Sequence, residues 1–119
     1  GPAAYARAKR GLVVVSELWA ERLKDQRVTV NSMHPGWADT PGVKKSLPKF
    51  YKLMGPLLRT GAEGADTIVW LGASPESADT TGKFFCDRAP RPTHRLPSTR
   101  EQPVERDQLM AQLRELAGL

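Results

Sequence analysis

A chain of 119 residues with 39% hydrophobic content is at most one domain and has enough apolar material for a packed core. Its formal net charge of +5 favours solubility and leaves phosphate, nucleic-acid and acidic-lipid partners open, but specifies no fold. The single cysteine, Cys86, excludes an internal disulfide framework and fits a reducing, cytoplasmic setting. No His/Cys/Asp/Glu cluster has structural-zinc spacing, so no metal site is expected. The longest apolar runs, residues 12–15 and 68–71, fall far short of the roughly 18–20 residues that span a bilayer.

Residues 3–23 are helix formers without an internal proline. Tyr5, Leu12, Val15, Ser16, Trp19 and Leu23 recur at spacings of three, four and seven, which predicts an amphipathic helix. Residues 27–33 are β-branched and alternating, and read as a strand stopped by Pro35-Gly36. Residues 40–60 form a longer connection with a short helix near 49–54. Its cations are Lys44, Lys45, Lys49, Lys52 and Arg59, with no acidic residue between Thr40 and Ala62, and apolar side chains lie among them. Three readings apply to it: a lid over an apolar substrate, which is favoured, a patch meeting anionic lipid headgroups at a membrane surface, or a solvated amphipathic helix. Thr60 and Glu63 make a Thr-x-x-Glu capping box for a helix ending near Ala73. Residues 83–87 read as a second short strand with Cys86 in the core. Residues 89–102, with Pro90, Pro92 and Pro97, have no periodicity and read as a surface tail or linker. Pro103 then opens a final helix with Leu109, Leu113 and Leu116 on its apolar face.

Tyr5 and Lys9 stand four residues apart, so on a helix they share one face with β-carbons roughly 5–6 Å apart. A phenol has an unperturbed pKa of about 10, and a fixed ammonium beside it favours the phenolate. Alone the spacing is weak: with 7 lysines and 2 tyrosines in the chain, Tyr-x-x-x-Lys arises by chance about one time in eight. The context is more specific. Helix, strand, loop, helix, strand is the alternation of an α/β fold with a parallel sheet, whose ligands bind beyond the carboxyl ends of the strands, where Pro35-Gly36 lies.

In this order and spacing the chain resembles the short-chain dehydrogenase/reductase family. The matching pieces are Tyr5-x-x-x-Lys9, Val28-Thr29-Val30-Asn31-Ser32-Met33-His34-Pro35-Gly36-Trp37-Ala38-Asp39-Thr40, Gly64-Ala65-Asp66-Thr67-Ile68 and Thr81-Gly82-Lys83-Phe84-Phe85. The tail is similar, more loosely, to retinol-dehydrogenase-like members. The resemblance implies the C-terminal part of a Rossmann-type doubly wound parallel sheet, with two strands and three to four helices present. It divides the chain into residues 1–88, the C-terminal half of such a domain without its first half, and 89–119, a Pro/Arg-rich tail with a terminal helix. It also implies hydride transfer between NAD or NADP and a carbonyl or alcohol of an apolar small molecule. Tyr5 would be the general acid/base, and Lys9 would lower the phenol pKa and hold the ribose hydroxyls. Pro35, Gly36 and the backbone of Trp37 would cradle the nicotinamide, and Thr40 would bind its amide or phosphate side. Family members commonly pair through the tyrosine-bearing helix, which implies a homo-oligomer for the full-length protein.

The departures restrict that reading. The 119 residues contain no glycine-rich pyrophosphate turn, no residue to select NAD over NADP, and no serine upstream of Tyr5 to polarise a carbonyl. Two strands without their parallel neighbours leave edges unpaired, so the isolated chain is expected to be poorly stable and inactive. The alternative is a non-catalytic interaction module that keeps these elements without the cofactor half. A glycine-rich turn and a serine encoded before Gly1 would distinguish the two. His34 and Asp39 read as structural, and Trp19 and Trp70 as packing. A nucleic-acid partner is not expected, since the basic residues form no recognised motif and the aromatics are not arranged for stacking.

Overall fold

The computed structural model describes residues 1–119, which divide into two units: Gly1–Ser32 with Thr81–Phe84 and Pro92–Leu119, and Met33–Thr80 with Phe85–Arg91. The helices are α1 (Pro2–Leu23), α2 (Pro41–Ser46), α3 (Pro48–Met54), α4 (Gly61–Ala73) and α5 (Pro103–Ala117), and the strands are β1 (Ser32–Met33), β2 (Phe84–Cys86) and β3 (Ala89–Arg91). No helix is long and apolar enough to cross a membrane. The sheet has the order β1-β2-β3. Ser32 N–H donates to Lys83 O at 3.0 Å and His34 N–H to Phe85 O at 2.9 Å, a constant offset that makes β1 and β2 parallel.

In the first unit, α1 starts with Pro2 at its first helical position, where a missing N–H costs nothing. It buries Val14 and Ala20, while Tyr5, Leu12 and Trp19, each seven residues apart, form an exposed strip. Trp19, read from sequence as packing, is thus corrected to an exposed position, because α1 turns its Val14 and Ala20 side inward. The buried face of α5 is likewise corrected: Met110 is buried, whereas Leu113 and Leu116 are exposed. Arg106, one turn before Met110 on the same flank, donates to Glu17 of α1 at 2.7 Å.

The segment expected to be an irregular tail contains β3 and is tied down beyond it. Arg10 on α1 donates to Glu101 through Nε at 2.5 Å and Nη2 at 2.6 Å, to Thr93 O at 3.2 Å, and also contacts His94. His94 Nε2 lies 3.0 Å from Glu101. Arg10's hydrogen bonds come first among the causes that hold the Glu101 carboxyl down from its ordinary 4.5 to about 2. A folded-state pKa depressed in this way contributes stability above the ordinary value, and that contribution disappears as pH falls through the folded one. Glu101→Gln in the whole protein should lower stability near neutrality and flatten its acid dependence between pH 4.5 and about 2, read from thermal melts across that range.

In the second unit, Thr60 caps α4. Glu63 N–H donates to Thr60 Oγ1 at 3.2 Å and Thr60 N–H to Glu63 Oε2 at 2.7 Å, completing the box anticipated from sequence. Gly64 lets α4 approach the 35–38 loop, since a β-carbon there would lie 3.1 Å from Ala38 Cβ and 3.7 Å from Pro35 Cβ. Phe85, 2% exposed, packs on Trp70 with ring centroids 5.7 Å apart. β2 and β3 are joined by Asp87-Arg88, both left-handed with φ of 56° and 55°, as a two-residue hairpin turn requires. The turn is held by Arg88 N–H donating to Thr67 Oγ1 at 3.1 Å and Arg88 Nε to Asp66 at 2.8 Å. Pro90 has no N–H for a ladder and is tolerated in β3, an edge strand.

Candidate active site

Tyr5 and Lys9 occupy the first turns of α1, in the first unit. Helical spacing brings them together as expected: the Lys9 ammonium lies 5.6 Å from the centroid of the Tyr5 ring. Tyr5 is 68% exposed, so its hydroxyl is open to a ligand approaching that face.

Pro35, Gly36, Trp37 and Thr40 belong to the second unit, in the turn that leaves β1. Gly36 has φ of +76°, a conformation that L side chains rarely adopt, and its N–H donates to His34 Nδ1 at 2.9 Å. His34 thus braces the turn as a hydrogen-bond acceptor, in keeping with a structural role. The backbone conformation favours glycine here, and a β-carbon at Gly36 would lie 2.6 Å from Nη1 of Arg59, so the guanidinium would have to shift to admit it. Trp37 is 55% exposed and packs its ring on Phe50 of α3, with centroids 4.6 Å apart and planes at 44°. Thr40 Oγ1 accepts from Val43 N–H at 3.3 Å and caps α2, a helix absent from the sequence-based expectation. The same hydroxyl retains a proton to donate.

The 40–60 connection is more ordered than a loop, since α2 and α3 occupy most of it. Lys44 Nζ lies 3.4 Å from Asp39 and 4.9 Å from the centroid of the Tyr51 ring, and Tyr51 donates to Asp39 at 3.3 Å. The Tyr51 hydroxyl and then the Asp39 carboxylate hold the Lys44 ammonium above its ordinary range. Asp39 is a structural anchor here, as its turn position suggested.

Two residues of this region escaped the sequence reading. Arg59 donates to Asp87 through Nη1 at 2.5 Å and Nη2 at 3.0 Å, and its backbone bridges to Ala38 in parallel register. Arg59 read as one basic residue of the connection and Asp87 as the end of a strand. Nothing in their local spacing links positions 28 apart.

Helices alternating along the chain with a parallel strand pair, and a Pro-Gly turn at the end of β1, fit the C-terminal part of a Rossmann-type α/β domain. The chain belongs to the short-chain dehydrogenase/reductase family. Over 98% of its length it is 44% identical to dehydrogenase/reductase SDR family member 12 of Bos taurus and 43% identical to the Homo sapiens protein of that name. It spans 37% of the length of each of these curated relatives. Retinol dehydrogenase 14 of Homo sapiens is 33% identical over 70% of the chain, which covers 26% of that protein. No family model and no solved structure matches the chain.

Proposed function

We propose that the protein containing this chain is an NAD(P)-dependent oxidoreductase that interconverts a carbonyl and an alcohol on an apolar small molecule. The observation that carries the proposal is the exposed Tyr5–Lys9 pair in a chain 44% identical to a dehydrogenase/reductase over nearly its whole length. The name retinol dehydrogenase 14, borne by a further relative, supports an apolar substrate.

The donors present suit the nicotinamide-ribose end of a dinucleotide: a phenol, an ammonium with three donors and the Thr40 hydroxyl. They offer nothing for the pyrophosphate, whose glycine-rich cradle these residues lack. When bound, the dinucleotide supplies hydride chemistry at its nicotinamide. Tyr5 gives a proton from Oη to the substrate oxygen during reduction and takes one during oxidation. Lys9 provides positive charge beside the phenolate and donors for the ribose hydroxyls. Pro35, Gly36 and the Trp37 backbone would form one wall of a nicotinamide pocket, and Thr40 would donate to the carboxamide or phosphate side. The 40–60 connection, with Lys44 on α2 and Tyr51 on α3, would close over the substrate. By this reading the isolated 119 residues hold half a site and do not turn over.

The test is isotopic. The whole protein is incubated with reduced dinucleotide deuterated at nicotinamide C4 and a series of apolar aldehydes and ketones, beginning with a linear aldehyde. Deuterium should appear on the carbinol carbon of the product. Absence of transfer from either NADH or NADPH, across the series, would overturn the proposal.

A further inference from the structure

We infer that Arg59 is a positioning residue, which with Asp87 forms a strut that fixes the Pro35-Gly36 turn against the nicotinamide end of the dinucleotide; this rests on the proposed cofactor use. Arg59 grips the turn twice. Through its backbone, its N–H donates to Trp37 O at 2.9 Å and its carbonyl accepts from Asp39 N–H at 2.7 Å. Through its side chain, Nη1 donates to Pro35 O at 3.3 Å, while the guanidinium fills the space in which a β-carbon of Gly36 would stand. One residue therefore contacts Pro35, Gly36, Trp37 and Asp39. Its far end is fixed by the two-pronged bond to Asp87, itself set in the left-handed hairpin turn.

A residue needed only to lead into the Thr60 cap requires none of these side-chain contacts. The geometry also depends on guanidinium shape. A planar fork can engage both Asp87 oxygens through Nη1 and Nη2 and still offer the second N–H of Nη1 to Pro35 O, whereas a lysine ammonium is a point charge on a flexible stem. Both side chains are substantially exposed, 37% for Arg59 and 48% for Asp87, and ion pairs so exposed contribute little to global stability. The strut thus acts on the shape of the turn more than on the survival of the fold.

Ligand dissection in the whole protein tests this. Arg59→Met should weaken binding of the reduced dinucleotide about tenfold, the effect of losing one charged hydrogen-bond set. Affinity for ADP-ribose, or its 2′-phosphate, which has no nicotinamide, should stay within about twofold. Asp87→Asn should weaken dinucleotide binding in the same direction, and the double variant should be no worse than Arg59→Met, because the two residues form a single strut. Arg59→Lys should fall between wild type and Arg59→Met. Equal losses for both ligands, or unchanged dinucleotide affinity in Arg59→Met, would overturn the inference. A wild-type protein that binds neither ligand would instead overturn the proposed function.

Discussion

Tyr5→Phe in the whole protein should lower kcat by about a hundredfold to ten-thousandfold, the range that a general acid/base contributes, and leave dinucleotide affinity within about threefold. The substitution removes one ionisable hydroxyl and little else. Tyr5 is 68% exposed, and its backbone N–H donates to Gly1 O at 3.2 Å whatever the side chain. Phenylalanine keeps the ring that lies 5.6 Å from the Lys9 ammonium. Stability should therefore change by no more than about 0.5 kcal/mol, as at most surface positions, so lost turnover could not be blamed on unfolding. Lys9→Met should behave differently, raising the dissociation constant for dinucleotide as well as slowing turnover, since Lys9 is assigned both charge and ribose contact. Steady-state kinetics with separate binding titrations distinguish the two variants. A Tyr5→Phe enzyme within tenfold of wild type would mean that another group moves the proton.

What could be read from sequence was local. The periodicity of 3–23 matches α1 to within a residue at its start, and Thr60-x-x-Glu63 marks the opening of α4, because helices and caps are made by neighbours three and four positions apart. Tyr5 and Lys9 were legible for the same reason. The parallel pairing of β1 with β2 followed from alternation of elements, although β1 is shorter than expected: Arg27 is left-handed with φ of 56°, and only Ser32–Met33 is strand. In sequence Pro41 and Gly42 look like breakers and hide α2, yet proline at the first helical position and Thr40 as cap make a helix start. β3 was hidden because its turn is Asp87-Arg88, without the glycine or asparagine that usually marks left-handed hairpins. Its unfavourable backbone angles are held by Arg59, Asp66 and Thr67, all distant in sequence. The Arg10–Glu101 tie, 91 positions apart, and the Arg59–Asp87 strut have no local signature, and the first of them turns a supposed tail into part of the α1 unit.

Gly36→Ala joins the local to the distant. The left-handed backbone, with φ of +76°, should cost an L residue about 1–2 kcal/mol. A β-carbon 2.6 Å from Nη1 of Arg59 adds a second cost, because the guanidinium must leave Pro35 O and Asp87 to make room. At an exposed site that displacement adds little to the backbone cost, so the variant should lose somewhat more than the backbone term alone in denaturant unfolding. The two costs are separable. In an Arg59→Ala background the obstruction is gone and only the backbone term remains, so Gly36→Ala should cost about 1–2 kcal/mol there, and the difference between backgrounds measures the contact. Activity should be hit harder than stability. Under the proposed function, a turn displaced by the incoming methyl no longer presents its wall to the nicotinamide, and misplacement of about 1 Å is enough to lower kcat/KM about a hundredfold. If Gly36→Ala kept its stability within about 0.5 kcal/mol and its kcat/KM within a few fold, neither the left-handed turn nor the Arg59 contact could be holding this wall of the site.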